Sequence, residues 1–140
     1  MSNILLASPL TSYNRLSFES PGGQQYTVNG KKASSYEYFV SLAFDKLELP
    51  YMFQFEVLGG RRRLGGFLID FLVLTRPLST PVWVHGEYWH RGRQTLVDLY
   101  QQQLLMSIMR GRINKPVIFF GKDVSTADDA LVSVRREMRL

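Results

Sequence analysis

The run FLIDFLVL, Phe67 to Leu74, places one aspartate among seven apolar residues. It follows the glycine-hinged loop GGRRRLGG and is closed by Pro77, so it reads as a buried strand. A strand apolar at nearly every position needs helices packed over its sheet. The rest of the chain supplies them. In ASSYEYFVSLAFDKLEL, Tyr36, Val40, Ala43 and Leu47 recur at helical spacing until Pro50. YMFQFEV, residues 51–57, is β-rich and ends at Gly59-Gly60, and PVWVH, residues 81–85, is a further strand. From Thr95, the positions Leu96, Tyr100, Leu104 and Ile108 mark a second helix, with Gly111 as its stop. VIFF, residues 117–120, is a short buried strand, and Ala127, Leu131, Val134 and Met138 mark a last helix behind a Ser125 or Thr126 cap.

This order predicts an α/β fold. A mixed central sheet, an antiparallel meander followed by a strand-helix-strand crossover, is flanked by helices on both faces. Residues 1–33, rich in Ser, Asn, Gln and Gly, read as a loosely ordered N-terminal arm with a small hairpin at Asn29-Gly30. Residues 34–140 make one domain, which is what a chain of 140 residues has room for.

Composition narrows the function. Cysteine is absent, which excludes disulfides, zinc ribbons and thiol catalysis. The start MSNILLASPLTSYNRL lacks the basic head and long apolar run of a signal peptide. No window approaches the roughly 18 apolar residues of a membrane span, so the expectation is a cytoplasmic chain with no membrane partner. Seventeen Lys plus Arg against twelve Asp plus Glu give a net charge of +5. The arginines are clumped: Arg61, Arg62 and Arg63; Arg91 and Arg93; Arg110 and Arg112; then Arg135, Arg136 and Arg139. A planar guanidinium suits phosphate better than a point charge does, which points to nucleic acid, DNA above all, as the partner.

Several residues are candidates for chemistry. Asp70 in its apolar strand needs compensation, by an arginine, by an edge position facing water, or by a hard divalent cation such as Mg2+. His85 and His90 in VHGEYWH lie five apart at a strand end, which does not match the helical zinc-protease pair, and each is a candidate general base. Glu37 and Asp98 fit the capping-box pattern in Ser34-x-x-Glu37 and Thr95-x-x-Asp98, a role compatible with catalysis. In GGRRRLGG, Gly66 and Phe67 stand where a phosphate-cradling loop needs Lys and then Ser or Thr, so no nucleotide triphosphatase is expected. Its three arginines suit a phosphate backbone. Tyr88 and Trp89 are core or rim aromatics or, if exposed, flat faces for stacking on or wedging between bases.

The segment His85-Gly86-Glu87-Tyr88-Trp89-His90, with fourteen residues between Asp70 and His85, resembles the core of the very-short-patch repair endonucleases. That family belongs to the wider PD-(D/E)xK nuclease group, with a restriction-endonuclease-like αβββαβ core. The EDxHD branch of phage-associated homing endonucleases is similar in more positions, adding Glu37 and Asp98. The resemblance covers about residues 34–138 and implies a metal-dependent endodeoxyribonuclease. It would use Mg2+, with Mn2+ as an alternative, on Asp70 with Glu37 in support. His85 or His90 would be the base or stabiliser, and Asp98 an orienting group. Arg61, Arg62, Arg63, Tyr88, Trp89, Arg91 and Arg93 would meet DNA. The third strand, Val82-Trp83-Val84-His85, departs from the wider group by lacking its acid and lysine, which implies a single-metal, histidine-assisted mechanism. The rival readings are a catalytically silent nucleic-acid-binding module and a phage structural or assembly protein. A homodimer, or a separate DNA-targeting partner, would suit a duplex target.

Overall fold

The computed structural model describes residues 25–62, 64–86 and 92–140, and at 61, 92–96 and 98 the backbone alone. Strands β1 (Tyr26–Val28) and β2 (Lys31–Ala33) form an antiparallel hairpin. Its turn is Asn29 and Gly30, at φ 52° and 79°. Two successive left-handed residues give the tight turn whose twist suits a hairpin, and Asn-Gly adopts it at little cost. The hairpin belongs to the main domain. Val28 and Ala33 are each 3% exposed and sit in the principal core, so residues 25–33 are no arm. Residues 1–24 of the expected arm lie outside the described residues.

Helix α1 (Ser35–Lys46) follows, then strands β3 (Tyr51–Val57), β4 (Phe67–Val73) and β5 (Thr80–His85). Helix α2 (Gly92–Ile108) crosses to β6 (Val117–Phe120), and α3 (Ala127–Met138) closes the chain. The larger sheet has the order β3-β4-β5-β6, antiparallel at the first two junctions and parallel at the last. This is the expected mixed α/β architecture. Thr126 caps α3, its Oγ1 accepting the Asp129 N–H at 3.0 Å. Helix α2 differs from expectation: it begins at Gly92, so the Thr95 backbone lies inside the helix and not ahead of it. Asp98 therefore stands in the second turn of the helix and not in its first.

The two faces of the sheet carry separate cores. Val40, Phe44, Ala130 and Val134 of α1 and α3 pack on Phe53, Phe71, Val82, Val84 and Phe119. On the other face Leu105 of α2 packs on Val57, Phe67, Ile69 and Trp83. Alternate residues of a regular strand share a face. Here they do not. Tyr51, Phe53, Phe71 and Val73 serve the first core, whereas Phe55, Val57, Phe67 and Ile69 serve the second. The β3–β4 hairpin thus changes face at the level of Gln54 and Asp70. The pairing passes from Phe53–Phe71 to Phe55–Ile69 with no 54–70 pair, and Gln54 takes a left-handed φ of 58°. A non-glycine residue there costs on the order of 1 kcal/mol or more, which the two cores must offset.

At the other end of α1, Asp45 lies in the last turn, where the helix's free carbonyls disfavour an anion. Partial burial raises its carboxyl above the ordinary 3.8, and burial together with Asp45 raises the Tyr51 phenol. The raised value means that the fold penalises the ionised form. The penalty is full above the folded-state pKa and gone below the ordinary aspartate range. Asp45→Asn is therefore expected to raise Tm at neutral pH by about 1–2 °C after allowance for solvent screening. The gain should vanish in melts run below the aspartate range, and a gain unchanged there would contradict the assignment.

Candidate functional site at the parting of β4 and β5

The β4–β5 ladder pairs Val73 with Thr80, Leu72 with Pro81 and Phe71 with Val82, and there it stops. Beyond it, side chains take over the hydrogen bonds. The Val84 N–H donates to Asp70 Oδ2 at 2.7 Å, and the Trp83 indole N–H to the Leu68 carbonyl at 3.2 Å. Asp70 is half-buried, in keeping with a carboxylate seated at a strand parting. A main-chain amide answers part of its burial, and a charge-assisted bond of this length is among the stronger kind.

His85 is the next residue on β5, and only 6% of its surface is exposed. Its ring stands edge-on to Phe120, its register partner on β6, with centroids 6.1 Å apart. The alternation that sends Val84 into the α1 and α3 core turns His85 to the opposite face. Glu37 approaches the same end of the sheet on α1. Tyr36 packs on Gly121, just past β6, so closely that a Cβ on Gly121 would fall 2.9 Å from the Tyr36 ring. The first turn of α1 thus sits at the strand end that carries His85 and Phe120. Glu37 does form the predicted capping box: its N–H donates to Ser34 Oγ at 3.1 Å, and its Oε1 accepts the Ser34 N–H at 2.9 Å.

The arginine loop joins β3 to β4 at this same end. Residues Gly60–Arg62 form a single helical turn, and Arg62 is exposed. The loop closes on itself at Gly66, where a Cβ would meet the Gly60 carbonyl at 2.1 Å and the Leu58 carbonyl at 2.7 Å. Backbone cannot retreat as a side-chain tip can, so glycine is required. Asp70, His85, the first turn of α1 and the arginine loop therefore share one end of the sheet. Arg63, Tyr88, Trp89, His90 and Arg91 lie outside the described residues, as do the side chains of Arg61, Arg93 and Asp98.

Among the described residues, no three His, Asp or Glu side chains gather into a metal-holding group. The donors present are carboxylate oxygens, the kind Mg2+ prefers, and that ion commonly takes only one or two protein carboxylates. Asp70 and Glu37 carry such oxygens at this end of the sheet. Sequence reasoning did not find the Val84 amide, the left-handed Gln54 or the Phe120 ring beside His85. Only Phe120, aligned with His85 at the ends of two parallel strands, left a signal to read.

Comparisons of the chain with protein-family models, with curated proteins and with solved structures gave no match.

Two substitutions separate capping from chemistry at Glu37. Ser34→Ala should lower stability by about 1 kcal/mol through loss of the cap. Glu37→Gln keeps a side chain able to complete the box and should leave Tm nearly unchanged. A drop in Tm for Glu37→Gln as large as that for Ser34→Ala would mean that the charge itself holds the turn. Gly66→Ala should destabilise by about 1–3 kcal/mol, as overpacking does, and make loop residues 58–66 the first site of limited proteolysis. A Gly66→Ala protein that melts and digests like the wild type would refute the contact.

Proposed function

We propose that this chain is a metal-dependent endodeoxyribonuclease, hydrolysing phosphodiester bonds of DNA at the parting of β4 and β5. The observation that carries the reading is the Asp70 carboxylate, held by the Val84 amide beside His85 at the end of the sheet that bears the arginine loop. The resemblance of the segment from His85 to His90 to very-short-patch repair and EDxHD homing endonucleases supplies the reaction class. Asp70, with Glu37 in support, would hold Mg2+ or Mn2+. That ion supplies Lewis-acid stabilisation of charge on the phosphate oxygens. Asp70 is oriented for this by the Val84 N–H, which fixes one of its oxygens.

The remaining work falls to the protein's own groups. His85, with 6% of its surface open, would hold or relay a proton at the substrate. His90 and Asp98 complete the proposed set as the alternative base and an orienting group. Arg61, Arg62, Arg63, Arg91 and Arg93 neutralise the backbone, and Tyr88 and Trp89 distort the duplex. Among the described residues no helix is long and apolar enough to cross a membrane. The proposed setting is the cytoplasm of a bacterial or phage-infected cell.

A second reading has its own support. Glu37 is engaged in a cap, and His85 is buried against Phe120, so both have structural roles without chemistry. A DNA-binding domain without cleavage fits those facts. A plasmid-nicking assay with Mg2+, Mn2+ or EDTA, run on the wild type and Asp70→Asn, decides between them. The nuclease reading expects metal-dependent nicking that Asp70→Asn lowers by about 100-fold or more. The substituted amide can still accept the Val84 N–H, so the variant should remain folded. Absence of nicking by the wild type in every metal, with DNA retained in a salt-sensitive way, would overturn it in favour of the binding module.

A further inference from the structure

Two grooves meet at Lys115 and Pro116, at the end of the sheet opposite Asp70. One, of about 650 Å³, follows the second half of α2 past Leu99, Gln103, Met106 and Arg110. The other, of about 880 Å³, opens between Arg76, Asn114 and Arg139. Its floor is pre-set. The Asn114 amide donates to the Leu78 carbonyl at 3.0 Å and to Thr80 Oγ1 at 2.9 Å, and Thr75 Oγ1 donates to Leu78 at 2.5 Å.

The rims carry Arg76, Arg110, Lys115 and Arg139, all exposed. Against them stand Glu48 and Glu137, and Glu137 already holds Arg136 at 3.2 Å. The joined grooves are thus net positive. On the α2 side the groove's surface is mainly apolar, so the cations on its rim, Arg110 and Lys115, would supply the phosphate contacts there. Among the described residues no aromatic ring lines either groove, so these residues offer no platform for unstacked bases. That favours the backbone of a duplex over a single strand.

We infer that this far end is a second DNA contact surface, which grips the duplex backbone away from the reacting segment. The inference rests on the proposed action on DNA. Helix α2 runs about 25 Å from its start at the Asp70 end to the far end, roughly seven base pairs of duplex. A duplex leaving the site along α2 therefore arrives at Arg110, Lys115 and Arg76. Such a contact adds affinity and register without touching the scissile bond.

The test measures binding and cleavage apart. Binding of the full chain to a labelled duplex of about two helical turns is followed by fluorescence anisotropy across a salt series. The same is done for the combined variant Arg76→Ala, Arg110→Ala, Lys115→Ala. These exposed side chains leave the fold intact, which circular dichroism checks. The variant should bind about 10- to 100-fold more weakly at about 0.1 M salt, with a salt slope shallower by about two to three. Its nicking rate at saturating DNA should stay at the wild-type value. A variant that binds as the wild type does overturns the inference, as does a wild type that prefers the single-stranded oligonucleotide or binds no duplex. A wild type whose binding depends on these residues but which never nicks would sustain the surface and defeat the nuclease reading alone.

Discussion

The hydrogen bond from the Val84 amide to Asp70 organises this fold. Where β4 and β5 part, the Val84 N–H would otherwise lie next to a core with no strand to receive it, and leaving such a group unpaired costs about 1–3 kcal/mol. Asp70 answers that need and has its own answered in return. A carboxylate in a run of Phe, Ile and Leu residues is tolerated because it meets a main-chain donor on the next strand. The parting of the strands, the position of His85 and the orientation of one Asp70 oxygen are aspects of one local arrangement.

Much of the fold was legible. Strands β3, β4, β5 and β6 came within a residue of their bounds because apolar β-rich runs are interrupted by Gly or Pro. Ser34, and the pair Ser125 and Thr126 of which Thr126 is the cap, announced the starts of α1 and α3 through the chemistry of their hydroxyls. The start of α2 was misread because apolar periodicity begins at Leu96, whereas backbone hydrogen bonding reaches up to Gly92, whose lack of a side chain leaves periodicity nothing to register. The β1–β2 hairpin looked like an arm because Lys31 and Lys32 mask Ala33, the residue that β2 buries.

At the site, side-chain identities were readable and their partners were not. The need for compensation at Asp70 was plain from FLIDFLVL, but an amide donor exists at almost every residue and leaves no trace in composition. The same holds for Gln54, whose left-handed backbone has no marker in its residue type. Clustering of the arginine loop with Asp70 follows from topology: antiparallel pairing brings the β3–β4 connection to the end where β5 finishes. Read residue by residue, the sequence held the parts of the site, and pairing of distant strands set their arrangement.

The change of face in the β3–β4 hairpin bears on how the molecule comes apart. A sheet with a separate helical layer on each side can in principle shed one layer and keep the other, giving a partly unfolded species. Here each strand of one hairpin is embedded in both layers, with Phe53 and Phe71 on one side and Phe55 and Ile69 on the other. Loosening α2 frees the outer half of the hairpin and pulls on the inner half through the same two strands. The hairpin acts as a shared beam, and the two cores stand or fall as one cooperative unit.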